Sequence, residues 1–122
     1  WRWRMKMAEK IAAELDGKRF GVKGMYVFGS TKNAVSGPGS DIDIIVHIDK
    51  EKCNLTNLNT WFEGWSLCLS EMNYLRTGYK SQGLIDLHII TDDDIKNKSS
   101  YAVKIGAVTD AARMLKLKPT SN

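Results

Sequence analysis

The chain predicts an α+β fold in which helices and strands alternate around one small mixed sheet. Three observations carry that expectation. Apolar residues recur at helical spacing in two separate stretches, one near the start and one in the middle. Short β-branched runs lie between and after them, each bounded by glycine, serine or aspartate. The length of 122 residues suffices for one buried core and is too short for a second domain of ordinary size, so residues 1–122 are expected to form a single domain.

The elements follow in order. Trp3, Met7, Ala8, Ile11, Ala12 and Leu15 repeat at helical spacing with charges at Arg4, Lys6, Glu9, Lys10 and Glu14 between them, which predicts an amphipathic helix stopped at Gly17. Gly24 to Phe28 reads as a short buried strand ended by Gly29-Ser30. Residues 31–40 hold Asn33, Ser36, Gly37, Pro38, Gly39 and Ser40, a dense loop signal that lets backbone approach another group closely. Asp41 to Ile48 is a strand with Ile42, Ile44, Val46 and Ile48 on one face and Asp41, Asp43 and His47 on the other.

A long helix is predicted from about Leu55 to Arg76, its apolar face traced by Leu55, Leu58, Phe62, Trp65, Leu69 and Met72, with Gly78 as the stop. Leu84 to Ile90 is a third strand that sets Ile85, Leu87 and Ile89 against Asp86 and His88. Thr91-Asp92-Asp93-Asp94 has the acidic character of a helix start. From Tyr101 to Leu117 the pattern fits helix, strand or both.

Composition excludes several classes. Apolar residues make 43% and charged residues 26%, with two prolines, which argues against wholesale disorder. No run approaches the roughly 18 apolar residues of a membrane span, and Trp1-Arg2-Trp3-Arg4 lacks the apolar segment of a signal peptide. A soluble, cytoplasmic protein with no membrane partner is expected. The chain opens on Trp1 in what reads as mid-helix, so the 122 residues are expected to be a piece of a longer polypeptide. Cys53 and Cys68, with only His47 and His88 beside them, match no zinc spacing and no disulfide framework. The net charge of +4 gathers at the two ends, a feature of solvated surface more often than of a polyanion site.

The placement of the acids is the most informative feature. Residues i and i+2 of a strand lie roughly 6.5–7 Å apart and point the same way, so Asp41 and Asp43 converge above the sheet. Two such carboxylates repel unless a cation intervenes, and a hard divalent ion bound by oxygen resolves the conflict. Asp86 lies on the same type of outward face and completes the site if the two strands are neighbours. Taken alone, Asp-x-Asp at a strand start is more often a turn cap or a solvated edge. Gly29-Ser30 before it and Asp86 after it reverse that balance in favour of a metal site suited to phosphoryl or nucleotidyl transfer. Two Mg²⁺ ions about 3.5–4 Å apart can hold the attacking oxygen and the leaving pyrophosphate of an in-line displacement. Gly29 admits a phosphate near the backbone, Ser30 offers a hydroxyl, and Lys32 is the nearby cation for a triphosphate. Asn33 and Ser40 are further polar candidates from the same loop. His47 and His88 read first as structural, although His88 stands two residues from Asp86 and within reach of a substrate-side role.

Gly29-Ser30, then Gly39-Ser40-Asp41-Ile42-Asp43-Ile44-Ile45-Val46, then Asp86 in a β-rich run resembles the DNA polymerase β nucleotidyltransferase superfamily, and within it the minimal nucleotidyltransferases. The resemblance covers roughly residues 24–90. It implies the nucleotidyltransferase fold, an NTP donor (ATP first) and Mg²⁺, with Mn²⁺ as a substitute. It further implies that Asp41 and Asp43 bind both metals, that Asp86 binds the catalytic metal and helps activate an acceptor hydroxyl, and that Gly29 and Ser30 hold the phosphates. The acceptor stays open between protein, RNA and small molecule, because the helical domain with which larger relatives grip it is absent and a partner domain or chain would supply that site. Residues 61–79 and 101–112 look like modules linked to phosphoenolpyruvate-utilising synthases or dikinases. The alternative to an enzyme is a catalytically silent module for nucleotide sensing or interaction.

Overall fold

In a computed structural model of the chain, described here for residues 2–29, 41–98, 100–105 and 112–119, the order is α1 (Arg2–Glu14), α2 (Gly17–Phe20), β1 (Val22–Phe28), β2 (Ile42–Ile48), α3 (Leu55–Thr77), β3 (Ile85–Ile90), α4 (Asp92–Lys96), a 3-10 turn (Ser100–Lys104) and β4 (Arg113–Leu115). The strands form one sheet in the order β3-β2-β1-β4. β1 pairs antiparallel with β2 and with β4, whereas β2 and β3 are parallel, so the sheet is mixed as predicted. A parallel pair needs a long crossover, and α3 supplies it.

Each helix boundary has a local cause. α1 ends before the expected stop: the Asp16 carboxylate accepts from the Arg19 N–H at 3.1 Å and caps a second short helix that begins at Gly17. Gly17 is required there for space, since a Cβ would stand 2.6 Å from the Val22 carbonyl oxygen. α3 is capped by the Asn54 side chain, which accepts from Asn57 N–H at 3.1 Å, and it ends at Gly78 in the left-handed conformation. α4 carries a capping box between Thr91 and Asp94, which accounts for its acidic start.

The main core lies between the sheet and the helices α1 and α3. Ile42, Ile44, Val46 and Ile48 of β2 meet Ile11, Leu15, Leu58, Phe62 and Leu69 there, all buried. Each such side chain contributes about 1.5–3 kcal/mol when taken fully from water. The buried stripe of α3 departs from the predicted one. Leu55 and Met72 are exposed, and Ser70 and Asn73 turn inward instead. They do so because each has a partner: Ser70 Oγ donates to the Ser81 carbonyl at 2.6 Å, and Asn73 Oδ1 accepts from Arg4 at 3.3 Å. Trp61 packs against Phe20, Phe62 and Trp65 in an aromatic group beside the core. Cys53 packs against the core while Cys68 is exposed, and both are free thiols.

The opposite sheet face is more apolar than alternation suggests. Ile45 and Ile90 are fully buried with Ala102, flanked by Tyr26 and Phe28, so the segment after α4 covers part of this face. The remainder of it carries Asp43, Asp86 and His88. No helix among the described residues is long and apolar enough to cross a membrane.

Two left-handed glycines give a paired test of this architecture. At Gly21 (φ 69°) a Cβ would lie 2.6–2.8 Å from backbone atoms of Lys52 and Cys53, whereas at Gly78 (φ 77°) it meets nothing within 4 Å. Gly78→Ala is expected to lose only the conformational term, roughly 1–2 kcal/mol. Gly21→Ala adds a backbone clash and is expected to lose about 3 kcal/mol or more. Urea denaturation of the two variants beside wild type measures both, and equal losses would contradict the close packing of the 52–53 turn on Gly21.

Candidate active site

The site forms where β1 ends and β2 and β3 begin. Register places Asp43 opposite Phe28 on one side and opposite Asp86 on the other. Because β2 and β3 are parallel neighbours in register, both carboxylates rise from the same sheet face. Asp43, Asp86 and His88 bring one ligand atom each to within 4.8 Å of one another, a group able to hold a metal ion. Asp41, one step before β2, stands outside that group but is coupled to Asp86 by charge.

The electrostatics follow from this crowding. Burial pushes the Asp43 carboxyl up to about 6, helped by the Asp86 charge and by a hydrogen bond that protonated Asp43 donates to the Asp86 carboxylate, with His88 opposing. Asp41 is also raised, first by burial and then by Asp86, with Arg4 opposing. The donor set is therefore short of positive charge, which is the condition a bound divalent cation satisfies. Gly29 adds a steric fact. It is left-handed at φ 72°, and a Cβ there would come 2.6 Å from Asp43 Oδ2. Glycine leaves the space beside that oxygen open, and a side chain there would force the Asp43 carboxylate to shift.

Two residues enter the site with more weight than their sequence context gave them. His88 lies 3.2 Å from Asp86 Oδ2 through Nε2 and belongs to an aromatic group, with Tyr101 at 3.8 Å and Phe28 at 5.6 Å between centres and those two rings 5.5 Å from each other. Its alternation with Asp86 was the available signal. Arg4 reads in sequence as part of the charged helix face, yet it is only 6% exposed. Its guanidinium bonds to Asn73 and acts on Asp41, a contact across 69 positions that local periodicity does not carry. Of the loop candidates, Gly29 is placed as described, while Ser30, Lys32, Asn33 and Ser40 lie outside the described residues. His47 is at the far end of β2, where Nε2 meets Asp92 Oδ1 at 2.6 Å, away from the acidic group.

Residues 5–112 match a family model described as a nucleotidyltransferase domain. No curated protein and no solved structure matches the chain, so the narrower likeness to phosphoenolpyruvate-linked modules gains no support from them.

The raised carboxyl has a measurable consequence. Between the ordinary aspartate value of 3.8 and about 6 the folded state keeps a proton on Asp43 that the unfolded chain has released. Stability from this group is therefore full below that window and falls as pH rises through it. With divalent ions chelated, Asp43→Asn is expected to match wild type near pH 4 and to exceed it by about 1–2 kcal/mol at pH 7.5, after allowance for solvent screening. Denaturant titrations at both pH values measure the gap, and a gap that does not change with pH would contradict the raised Asp43 carboxyl.

Proposed function

The chain is a member of the nucleotidyltransferase-domain family, and from that premise we propose that it moves a nucleoside monophosphate from an NTP, with ATP as the donor to test first, onto a hydroxyl acceptor. The observation that supports this most is the facing pair Asp43 and Asp86 with Gly29 beside Asp43 Oδ2.

The residues divide the work. Asp41, Asp43 and Asp86 would hold the divalent ions, Mg²⁺ or Mn²⁺, which when bound neutralise charge on the reacting phosphate and the leaving pyrophosphate. Gly29, with Ser30, Lys32, Asn33 and Ser40 of the following loop, binds the triphosphate through backbone N–H groups, hydroxyls and one ammonium. The acceptor oxygen forms a bond to the α-phosphorus as the bond from that phosphorus to the bridging β-phosphate oxygen breaks, and pyrophosphate leaves. The acceptor proton passes to the Asp86 carboxylate, whose side chain is half exposed and so open to a substrate. His88, packed against Tyr101 and Phe28, holds Asp86 in position.

The test uses ATP labelled in parallel at the α- and γ-phosphates, with Mg²⁺ and candidate protein, RNA and small-molecule acceptors. Transfer of the α label alone is expected. Asp86→Asn should lower it on the order of 10²–10³-fold, the scale of losing a group that acts in the transition state. Transfer of the γ label alone would make the protein a phosphotransferase. Binding of Mg-ATP with no transfer of either label would leave the nucleotide-sensing alternative. A separate measurement addresses the loop: Ser30→Ala with Lys32→Ala is expected to weaken Mg-ATP binding in calorimetry without altering the melting temperature, and unchanged affinity would take the loop out of the site.

A further inference from the structure

The sheet face that carries the acids changes character within two residues. β3 sets Asp86, His88 and Ile90 along it and β2 sets Asp43 and Ile45, with Asp43 beside Asp86 and Ile45 beside His88 in the parallel register. Ile45 and Ile90 are fully buried, whereas the Asp86 side chain is 52% exposed. His88 stands on the border between them. Its side chain is only 16% exposed, and its Nε2 lies on the acidic side, 3.2 Å from Asp86 Oδ2.

Offsetting the charge of one carboxylate is the ordinary role of such a histidine, and two observations go beyond it. The nitrogen is near both acids: one ligand atom each from Asp43, Asp86 and His88 lie within 4.8 Å of one another. Opposite donors of one divalent ion are about 4–4.5 Å apart, each roughly 2.0–2.2 Å from it, so small side-chain adjustments bring all three onto a shared ion. The ring is also fixed beforehand. Tyr101 packs on it at 3.8 Å and Phe28 at 5.6 Å between centres, which leaves the imidazole few rotamers and holds its nitrogen at the acids before an ion arrives.

The other histidine of the sheet supplies a contrast. His47 Nε2 meets Asp92 at 2.6 Å, but Lys23 Nζ already sits 2.8 Å from the same carboxylate. Among the described residues no lysine or arginine forms an ion pair with Asp43 or Asp86. The donor set at that end is therefore two carboxylates and one imidazole with no resident cation. Oxygen donors alone suit Mg²⁺, which keeps octahedral oxygen coordination and loses water reluctantly. An imidazole nitrogen shifts a site toward first-row transition ions, and among these Mn²⁺ still accepts carboxylates well.

We infer that His88 Nε2 is a ligand, with Asp43 and Asp86, to one divalent ion, and that this mixed donor set makes the site prefer Mn²⁺ to Mg²⁺. The inference rests on the metal site of the transferase reading above and gives His88 a role beyond the positioning of Asp86.

The experiment adds metal alone to the full chain, without nucleotide. Electron paramagnetic resonance of free Mn²⁺ gives its affinity, competition gives that of Mg²⁺, and electron spin-echo modulation of the bound ion reports nitrogen ligands. Wild type is expected to show imidazole nitrogen coupled to Mn²⁺, a reading that requires no variant to fold. His88→Ala should lose that coupling and lower Mn²⁺ affinity about tenfold or more, with Mg²⁺ affinity changed less than about threefold. His47→Gln, at the other end of β2, should leave the coupling and both affinities unchanged. Absence of nitrogen coupling in wild type, coupling that survives in His88→Ala or vanishes in His47→Gln, or equal losses of Mn²⁺ and Mg²⁺ affinity in His88→Ala would overturn the inference. Each of these results leaves the transferase reading standing, since the acids still hold the ions. Mn²⁺ binding undiminished by Asp43→Asn with Asp86→Asn would overturn both.

Discussion

The parallel pairing of β2 with β3 sets Asp43 and Asp86 face to face, and the surrounding structure holds that repulsive pair in place. Like charges directly opposite on neighbouring strands are unfavourable, and a slip of one residue would relieve them. The slip is prevented from the other sheet face. Ile42 and Ile44 are fully buried on either side of Asp43, and a shift of register would carry them out of the core and drive acids into it. Ser66 adds a local lock at the start of β3 by accepting from two successive N–H groups, so the level at which Asp86 emerges is set by α3. Apolar burial thus supplies the free energy that keeps two carboxylates close.

The opposite face of the sheet shows how little cover the site requires. Ile45 and Ile90 are sealed by the 3-10 turn, yet one step along the strands Asp86 is exposed and Asp43 only partly buried. Between sealed and open regions stands His88, packed against Tyr101 and Phe28. An imidazole so packed has few rotamers available, and its contact with Asp86 is correspondingly well defined. Partial cover also explains the asymmetry of the two acids: Asp43 loses hydration while Asp86 retains it, so the burden of desolvation falls on Asp43.

Much of this was legible from the residues. Strand alternation put Asp43, Asp86 and His88 on polar faces, and the apolar residues opposite them are indeed the core. Three features were not legible, each because the cause is remote in sequence. Gly17 reads as a helix stop, but the Asp16 cap turns the chain into a second helix there. Ile45 reads as part of a polar face, and only the return of residues 100–105 buries it. Arg4 reads as solvated because periodicity counts charges, whereas its burial depends on Asn73 and the Trp3 ring, one of which lies far along the chain. Pattern reports the direction of a side chain, and tertiary partners decide what a charge may do once it points that way.

The two ends of β2 offer a comparison that separates structural from functional acids. At the far end Asp92 meets Lys23 at 2.8 Å and His47 at 2.6 Å, and both hold its carboxyl below the usual range. Lys23 reaches it from the point where the β1 register shifts, so this pair ties an irregular strand to the start of α4. Such an acid is already compensated, and adding a cation would displace partners rather than supply them. At the near end the balance is reversed: Asp43 and Asp41 are both raised, burial is the first cause in each, and the neighbouring Asp86 charge adds to it. His88 and Arg4 offset this only in part. The two clusters sit at opposite ends of one strand, and differ in whether the protein has supplied the counter-charge itself. An acid left uncompensated on the sheet face, beside a glycine whose Cβ would crowd its oxygen, is poised for a charge that arrives from outside.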